Sequence, residues 1–219
     1  MASQRIENGE GTGPAPAGLP FPAGQTLDEQ VRQAQAGDLE AFDELVRAFG
    51  GTVYNLAYRM TGNPADADDV AQEVFVKLHR TIRQYRWQAK FSTWLYALAA
   101  NTCRSAMRKL RRVAEAEPVS LNAEPADGRR TPEPSDPGEH PGQLLERKEL
   151  RRQIEAAMAE LPEDFRMAIV LRDLQGLAYE EIAAALKCTV GTVKSRLARA
   201  RQRVKEKLVR QGVVCAATE

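Results

Sequence analysis

The chain has 219 residues, 43% hydrophobic and 28% charged, which is enough apolar material for one packed domain or two small ones. No apolar run approaches the roughly 20 residues that cross a bilayer, and the acidic, Gly/Pro-rich start lacks the regions of a signal peptide; a cytoplasmic protein without membrane insertion is expected. The net charge of +1 hides a strong segregation along the chain. Residues 26–76 hold 10 acidic and 3 basic side chains, whereas residues 77–112 hold 10 basic and none acidic. Residues 113–186 return to an acidic balance, and residues 187–210 hold 9 basic and 1 acidic. The two basic blocks are two candidate polyanion-binding surfaces. Cys103, Cys188 and Cys215 are odd in number and far apart, and neither His79 nor His140 has a neighbouring ligand. Reduced thiols, no metal and no cofactor follow.

Residues 1–25 form a low-complexity tail too poor in large apolar side chains to fold alone. From residue 26 to residue 112 the apolar residues recur at helical spacing, with no alternating strand pattern. Leu39, Phe42, Leu45, Val46, Phe49, Val53, Leu56 and Met60 form one face, stopped by Gly62 and Asn63-Pro64. Ala67, Val70, Ala71, Val74, Phe75, Leu78 and Ile82 form the next, with Asp66, Asp69, Gln72 and Glu73 on the opposite side. Ser92 is the expected cap of a third helix with the stripe Leu95, Leu98, Ala99, Thr102, Ala106 and Leu110.

Five of the 13 aromatic residues fall between positions 85 and 96, inside the first basic block. Phe91, Trp94 and Leu98 share helical spacing and read as core; Tyr85 and Trp87, with Lys90, are left as contact candidates. Aromatics interleaved with positive charge suit single-stranded nucleic acid, because any base can stack and every phosphate is attracted.

Residues 113–143 hold six of the twelve prolines and are acidic, which reads as a flexible Pro-rich linker. A second module, residues 144–210, begins with a face of Ile154, Ala157, Met158 and Leu161. Phe165, Ala168, Ile169 and Leu171 follow, closed by Gly176. A short helix, Tyr179 to Leu186, then meets a turn at Lys187-Cys188-Thr189. The next helix has Thr189 as expected N-cap and an apolar face of Val193, Leu197, Ala200, Val204 and Leu208, with residues 211–219 as a tail. This is the layout of a helix-turn-helix, whose second helix puts its first residues into the major groove. Arg201, Arg203 and Lys205 lie further along, where phosphate or water is the expected partner. The fold class expected is all-α, two small helical domains on a tether.

Several strings together resemble the extracytoplasmic-function (ECF) sigma factors of the sigma-70 superfamily: AGDLEAFDELVRAFGGTVYNLAYRMTGNPADADDVAQEVFVKLHR, FSTWLYALAAN, LPEDFRMAIVLRDLQGLAYEEIAAAL and VGTVKSRLARAR. The resemblance covers about residues 27–112 (region 2) and 144–208 (region 4). It implies a transcription initiation factor that binds core RNA polymerase, through its β′ and β subunits, and promoter DNA. The acidic face (Asp66, Asp69, Gln72, Glu73) would meet the β′ coiled coil. Residues 84–93, with Asn101 and Arg104, would open the −10 element. Thr192, Lys194, Ser195, Arg196 and Arg199 would read the −35 element. Many members of the family are held by anti-sigma proteins. This sequence departs from the family at Ala178, often Ser or Thr; at Lys187, often Gly; and at Ser105, often Asp. The last departure lies within the helix that the resemblance assigns to the −10 element. No nucleophile–base pair or phosphate-binding Gly loop is found, so no enzymatic activity is expected. The alternative, a stand-alone helix-turn-helix regulator, leaves the aromatic basic segment unexplained.

Overall fold

Helix ends in the first module fall where side-chain chemistry puts them. The computed structural model describes residues 26–116 and 141–213. The tail 1–25, the linker from 117 to 140 and Cys215 lie outside the described residues. Helix α1 (Leu27–Ala36) had no counterpart among the apolar faces read from the sequence. It opens on a capping box in which the Glu29 backbone N–H donates to Thr26 Oγ1 and the Thr26 N–H to Glu29 Oε2. Asp38 caps α2 (Leu39–Thr61), accepting from the N–H groups of Glu40 and Ala41 at 2.9 and 3.2 Å. Gly62, at φ 73°, ends it in the left-handed conformation that glycine adopts without strain. Asn63 caps α3 (Pro64–Thr81), with Pro64 in the first turn where a missing N–H costs nothing.

Helix α4 spans Phe91–Ala116, so it runs past the expected boundary at 112. It also corrects two expectations. Ser92 lies inside the first turn rather than capping it, because the Trp94 N–H already donates to the Lys90 carbonyl. Leu110 is 38% exposed, since the helix has run beyond the elements that cover Leu95, Ala99 and Thr102.

The second module starts earlier than expected: Pro141, read as linker, opens α5 (Pro141–Ala159) at the position a proline tolerates. Helix α6 (Glu163–Ile169) continues into a π-helical segment, Val170–Leu174, that ends at Gly176 with φ 68°. Helices α7 (Tyr179–Leu186) and α8 (Val190–Arg210) form the expected pair. Among the described residues there is no strand.

In the first module α2, α3 and α4 pack on one another around fully buried Leu45, Phe49, Leu56, Met60, Leu78 and Leu95. In the second, α8 packs on α5, α6 and α7 around Met167, Leu171, Ile182 and Leu197. The two modules also touch: α4 packs against α7, and α2 meets α5 and α6. Arg166, 9% exposed, donates from Nη1 to the Met60 carbonyl across this boundary at 2.7 Å. Its Nη2 serves the carbonyls of Ala159 and Leu161 in its own module.

Gly50 and Gly51 sit in the middle of α2, where a glycine costs about 0.5–1 kcal/mol relative to alanine. A Cβ at Gly51 would meet nothing within 4 Å. Gly51→Ala is therefore expected to raise unfolding stability by about 0.5–1 kcal/mol in urea titration. Destabilisation would mean that the open space over α2 is filled in solution.

Candidate functional site

The first candidate surface is one side of α3. Asp69, Gln72 and Glu73 are exposed and Asp66 half-buried, opposite the buried Ala67, Val70, Val74 and Leu78. Spacings of three and four put the carboxylates in one row. Glu73 pairs with Lys77 at 2.6 Å, a contact one turn along the same helix. Beside the row, Val76 is 47% exposed and lines a shallow groove with Phe42, Phe75, His79 and Arg80. The face thus offers negative charge with apolar surface next to it.

The second surface is the loop between α3 and α4. Two residues of α1 hold it, and neither stood out in the sequence. Gln35 donates from Nε2 to the carbonyls of Ile82 and Tyr85, both at 2.9 Å, and accepts from Trp87 Nε1 at 3.1 Å. The Arg32 guanidinium lies 5.1 Å from the centre of the Trp87 ring, a cation–π arrangement. Trp87 is 38% exposed and has φ 59°, a left-handed conformation that a bulky side chain adopts at a cost on the order of 1–2 kcal/mol. Gln35 supplies the hydrogen bonds that keep the loop in that shape.

Tyr85 does not share this exposure, contrary to the expectation that its ring is open for contact. It is 6% exposed, donates from its hydroxyl to the Ala89 carbonyl at 2.6 Å, and packs edge-on against Phe91. Burial, with the Asp28 charge as a second cause, raises its pKa. Its ring lies 5.0 Å from Trp87 and 5.3 Å from Trp94, so it supports the exposed indole from beneath. Phe91 is buried and Trp94 half-buried, as core residues should be. Lys90 and Asn101 are exposed, while Arg104 is half-buried.

The third surface is the helix pair α7–α8. Thr189 caps α8, accepting from the Thr192 N–H at 3.1 Å. Lys187 takes φ 52° in the turn, where glycine would be unstrained. Ala178 has no side-chain cap to offer; Glu181 accepts from its N–H at 2.8 Å, which leaves half a capping box. Val193, Leu197, Ala200 and Leu208 are buried as expected. Lys194, Ser195 and Arg199 are exposed at the head of α8, with Thr192 and Arg196 half-buried. Further along, Arg201 pairs with Asp173 at 2.5 Å and Arg203 lies over the Phe165 ring at 5.2 Å, so both have partners inside the module rather than only phosphate or water.

One carboxylate joins the second and third surfaces. Asp164 receives Arg196 Nη2 at 2.5 Å and Arg104 Nη2 at 3.3 Å. Arg111 pairs with Glu163 at 2.6 Å, and Thr93 donates to Glu181 at 2.9 Å. Among the described residues no group of three His, Cys, Asp or Glu side chains is arranged to hold a metal ion. Cys103 is fully buried, and desolvation pushes its thiol up to about 12, which makes it a poor nucleophile.

Comparison with known proteins matches both modules, in order. The model of Sigma-70 region 2 matches residues 45–113 and that of Sigma-70, region 4 matches residues 151–204, the two parts of a promoter-directing sigma factor. The RNA polymerase sigma-H factor of Pseudomonas aeruginosa is 36% identical over 186 residues, 84% of this chain and 95% of that protein. The ECF RNA polymerase sigma-E factor of Escherichia coli K12 is 39% identical over 180 residues, 81% and 92% of the two chains. The chain belongs to the ECF sigma factors. Among solved structures, CnrH in complex with the cytosolic domain of CnrY covers 82% of this chain and 94% of its own, with TM-score 0.57 and 26% identity. RpoE in complex with the anti-sigma factor NepR, from Bartonella quintana, covers 76% and 96%, with TM-score 0.57 and 25% identity. A stand-alone regulator would need α7 and α8 only, and the match of the first module sets that alternative aside.

Gln35→Ala should free the loop, because it removes three hydrogen bonds to it at once, at a cost of about 1–2 kcal/mol in stability. In a Trp94→Phe background, acrylamide should quench the remaining indole, Trp87, more strongly in the Gln35 variant. Unchanged quenching would show that the loop holds its shape without α1.

Proposed function

We propose that this sigma factor docks on core RNA polymerase through the acidic row of α3 and holds two promoter elements, one with each module, in the bacterial cytoplasm where polymerase acts. Asp66, Asp69, Gln72 and Glu73 supply the charge, and the groove at Phe42, Phe75 and Val76 offers apolar contact beside it. Partners of opposite charge are steered together over a few nanometres and then fixed by short-range packing. The double variant Asp69→Ala/Glu73→Ala empties no core, since both side chains are exposed. It should keep the parent melting temperature and compete for core polymerase at least about tenfold less well, as expected for loss of two interfacial charges. Equal competition would remove α3 from the polymerase interface.

At the −10 element the working surface is Trp87 with Lys90, Asn101 and Arg104 around it, and Tyr85 underneath. The observation that carries this reading is the indole held exposed, at a strained φ, ahead of a helix in a block with 10 basic and no acidic residues. A base that leaves the duplex stacks on such a ring, and stacking contributes about 1–3 kcal/mol per base toward the cost of unpairing. Cations along α4 hold the phosphates of the separated strand. Trp87→Ala should lower permanganate reactivity of −10 thymines on duplex promoter and act much less on a pre-opened bubble. An equal loss on both templates would make Trp87 a folding or docking residue.

At the −35 element Thr192, Lys194, Ser195, Arg196 and Arg199 present donors from the first turns of α8, where a recognition helix meets base edges. The factor needs no chemistry of its own for these tasks, and we assign it no enzymatic activity. The solved relatives are bound to CnrY and to the anti-sigma factor NepR, which supports an anti-sigma protein as a further partner of this chain. In run-off transcription with core polymerase, Arg196→Ala should relax preference at one or two −35 positions by about 1–3 kcal/mol. Uniform weakening of every −35 variant would make Arg196 a phosphate contact instead.

A further inference from the structure

Helix α1 precedes residues 45–113, which the region 2 model matches, yet it supplies two of the contacts around the exposed indole. Gln30, Val31 and Ala34 bury one side of α1, which fixes the backbone at Arg32 while that side chain stays exposed. The Arg32 guanidinium lies 5.1 Å from the centre of the Trp87 ring. A fully stacked contact is closer, about 3.5–4.0 Å between carbon atoms. The cation therefore does not close off the ring, and with it in place the indole is still 38% exposed. A base that stacks on the open part of the indole meets the guanidinium with its edge. Gln35 cannot take that edge with its amide N–H groups, because both are given to the carbonyls of Ile82 and Tyr85, and its Oε1 takes Trp87 Nε1. Arg83, Arg86 and Lys90 are exposed on the same loop and add positive charge, which serves phosphates of any sequence.

We propose that Arg32 is a specificity-determining residue of the −10 site: it reads the edge of the unpaired base stacked on Trp87, and favours bases with a carbonyl oxygen there over adenine. The inference rests on the reading of Trp87 as the stacking ring. A guanidinium has five donors and no acceptor, so only acceptors satisfy it. Guanine, thymine and cytosine each carry a carbonyl oxygen on the edge that a duplex would pair. Adenine carries none and puts its N6 amino group, a second donor, in that place. The indole itself discriminates little, since every base has a π-face. Selection therefore falls to the polar group beside the ring. The cation–π contact sets the guanidinium there before a base arrives, so less side-chain freedom is lost on capture.

The full-length parent, Arg32→Ala, Arg32→Gln and Trp87→Ala are each assembled with core polymerase and bound to fork-junction DNA. Its non-template strand is single-stranded and randomised across the −10 segment, and the retained strands are sequenced. Arg32 is exposed, so both of its variants should keep the parent melting temperature. The parent is expected to disfavour adenine at one position by about five- to tenfold against the best base there. Arg32→Ala should bring adenine at that position to within about twofold of the best base, and leave the preferences at other positions as they are. Arg32→Gln should raise adenine further, because an amide offers that base one acceptor and one donor. A loss spread evenly over all sequences in the Arg32 variants would overturn the proposal, since a phosphate contact or a loosened loop produces that pattern. If Trp87→Ala lowers retention of the whole library while both Arg32 variants keep the parent's preferences, stacking on Trp87 stands and Arg32 is no reader. If Trp87→Ala retains the library as well as the parent does, the stacking reading fails, and the Arg32 reading fails with it.

Discussion

Arg166 is the only charged side chain buried among the described residues, and its position ties together the ends of two helices and the turn between α5 and α6. Met60 lies in the last turn of α2, Ala159 ends α5, and Leu161 sits in the turn before α6. Carbonyls at such places have no partner within their helix and carry the negative end of its dipole. A guanidinium with five donors suits them better than any other side chain, since it satisfies several acceptors from one plane. Burial still works against the cation and lowers its pKa, and the nearby charge of Glu163 acts in the opposite sense. The carbonyls are therefore required wherever this arginine is buried. Two of the three belong to its own module, so the second module keeps a filled turn by itself. The third belongs to the first module, so the buried cation also bonds across the boundary, beside the ion pairs there and the packing of α4 on α7.

The boundary is mixed in character. Inside each module the helices meet through Leu, Phe, Met and Ile that are fully buried, contacts that water cannot replace. The same buried apolar cluster continues between the modules, where α4 packs against α7, and ion pairs and hydrogen bonds with several half-exposed partners accompany it.

Much of this was legible along the chain. Helix α7 and the cap of α8 fell at the residues that turn chemistry marked, because a cap acts through neighbours two or three positions away. The acidic row of α3 was equally visible, since helical spacing alone puts Asp66, Asp69 and Glu73 on one side. The aromatic segment was harder. Composition identified a cluster but not which ring is exposed; Tyr85 is buried and Trp87 is not, although they are two residues apart in an irregular loop without helical period. Gln35, which fixes that loop, lies 52 residues from Trp87, and no local pattern announces such a bond. Ser92 had the right chemistry for a cap but sits two residues too late, since the Lys90 carbonyl already takes the first helical bond. Asp164 and Glu163 look like ordinary first-turn acids that complement a helix dipole, and only the tertiary arrangement brings arginines from α4 to them.

The π-helical segment at Val170–Leu174 has a consequence for how α6 and the α7–α8 pair are phased. Its bonds reach further than those of an α-helix: the Gln175 N–H donates to the Val170 carbonyl, and the Leu177 N–H to Leu171. Such a turn holds one residue more than an α-helical turn. Each residue of an α-helix advances about 100° around the axis, so a chain one residue shorter here would leave α6 at a different azimuth, swinging Gly176 and everything after it. Arg172 fastens the present azimuth by donating to the Leu177 carbonyl at 2.6 Å and lying 4.7 Å from the centre of the Tyr179 ring. Insertions and deletions in this stretch would therefore act on the heading of α8 without altering any residue of that helix.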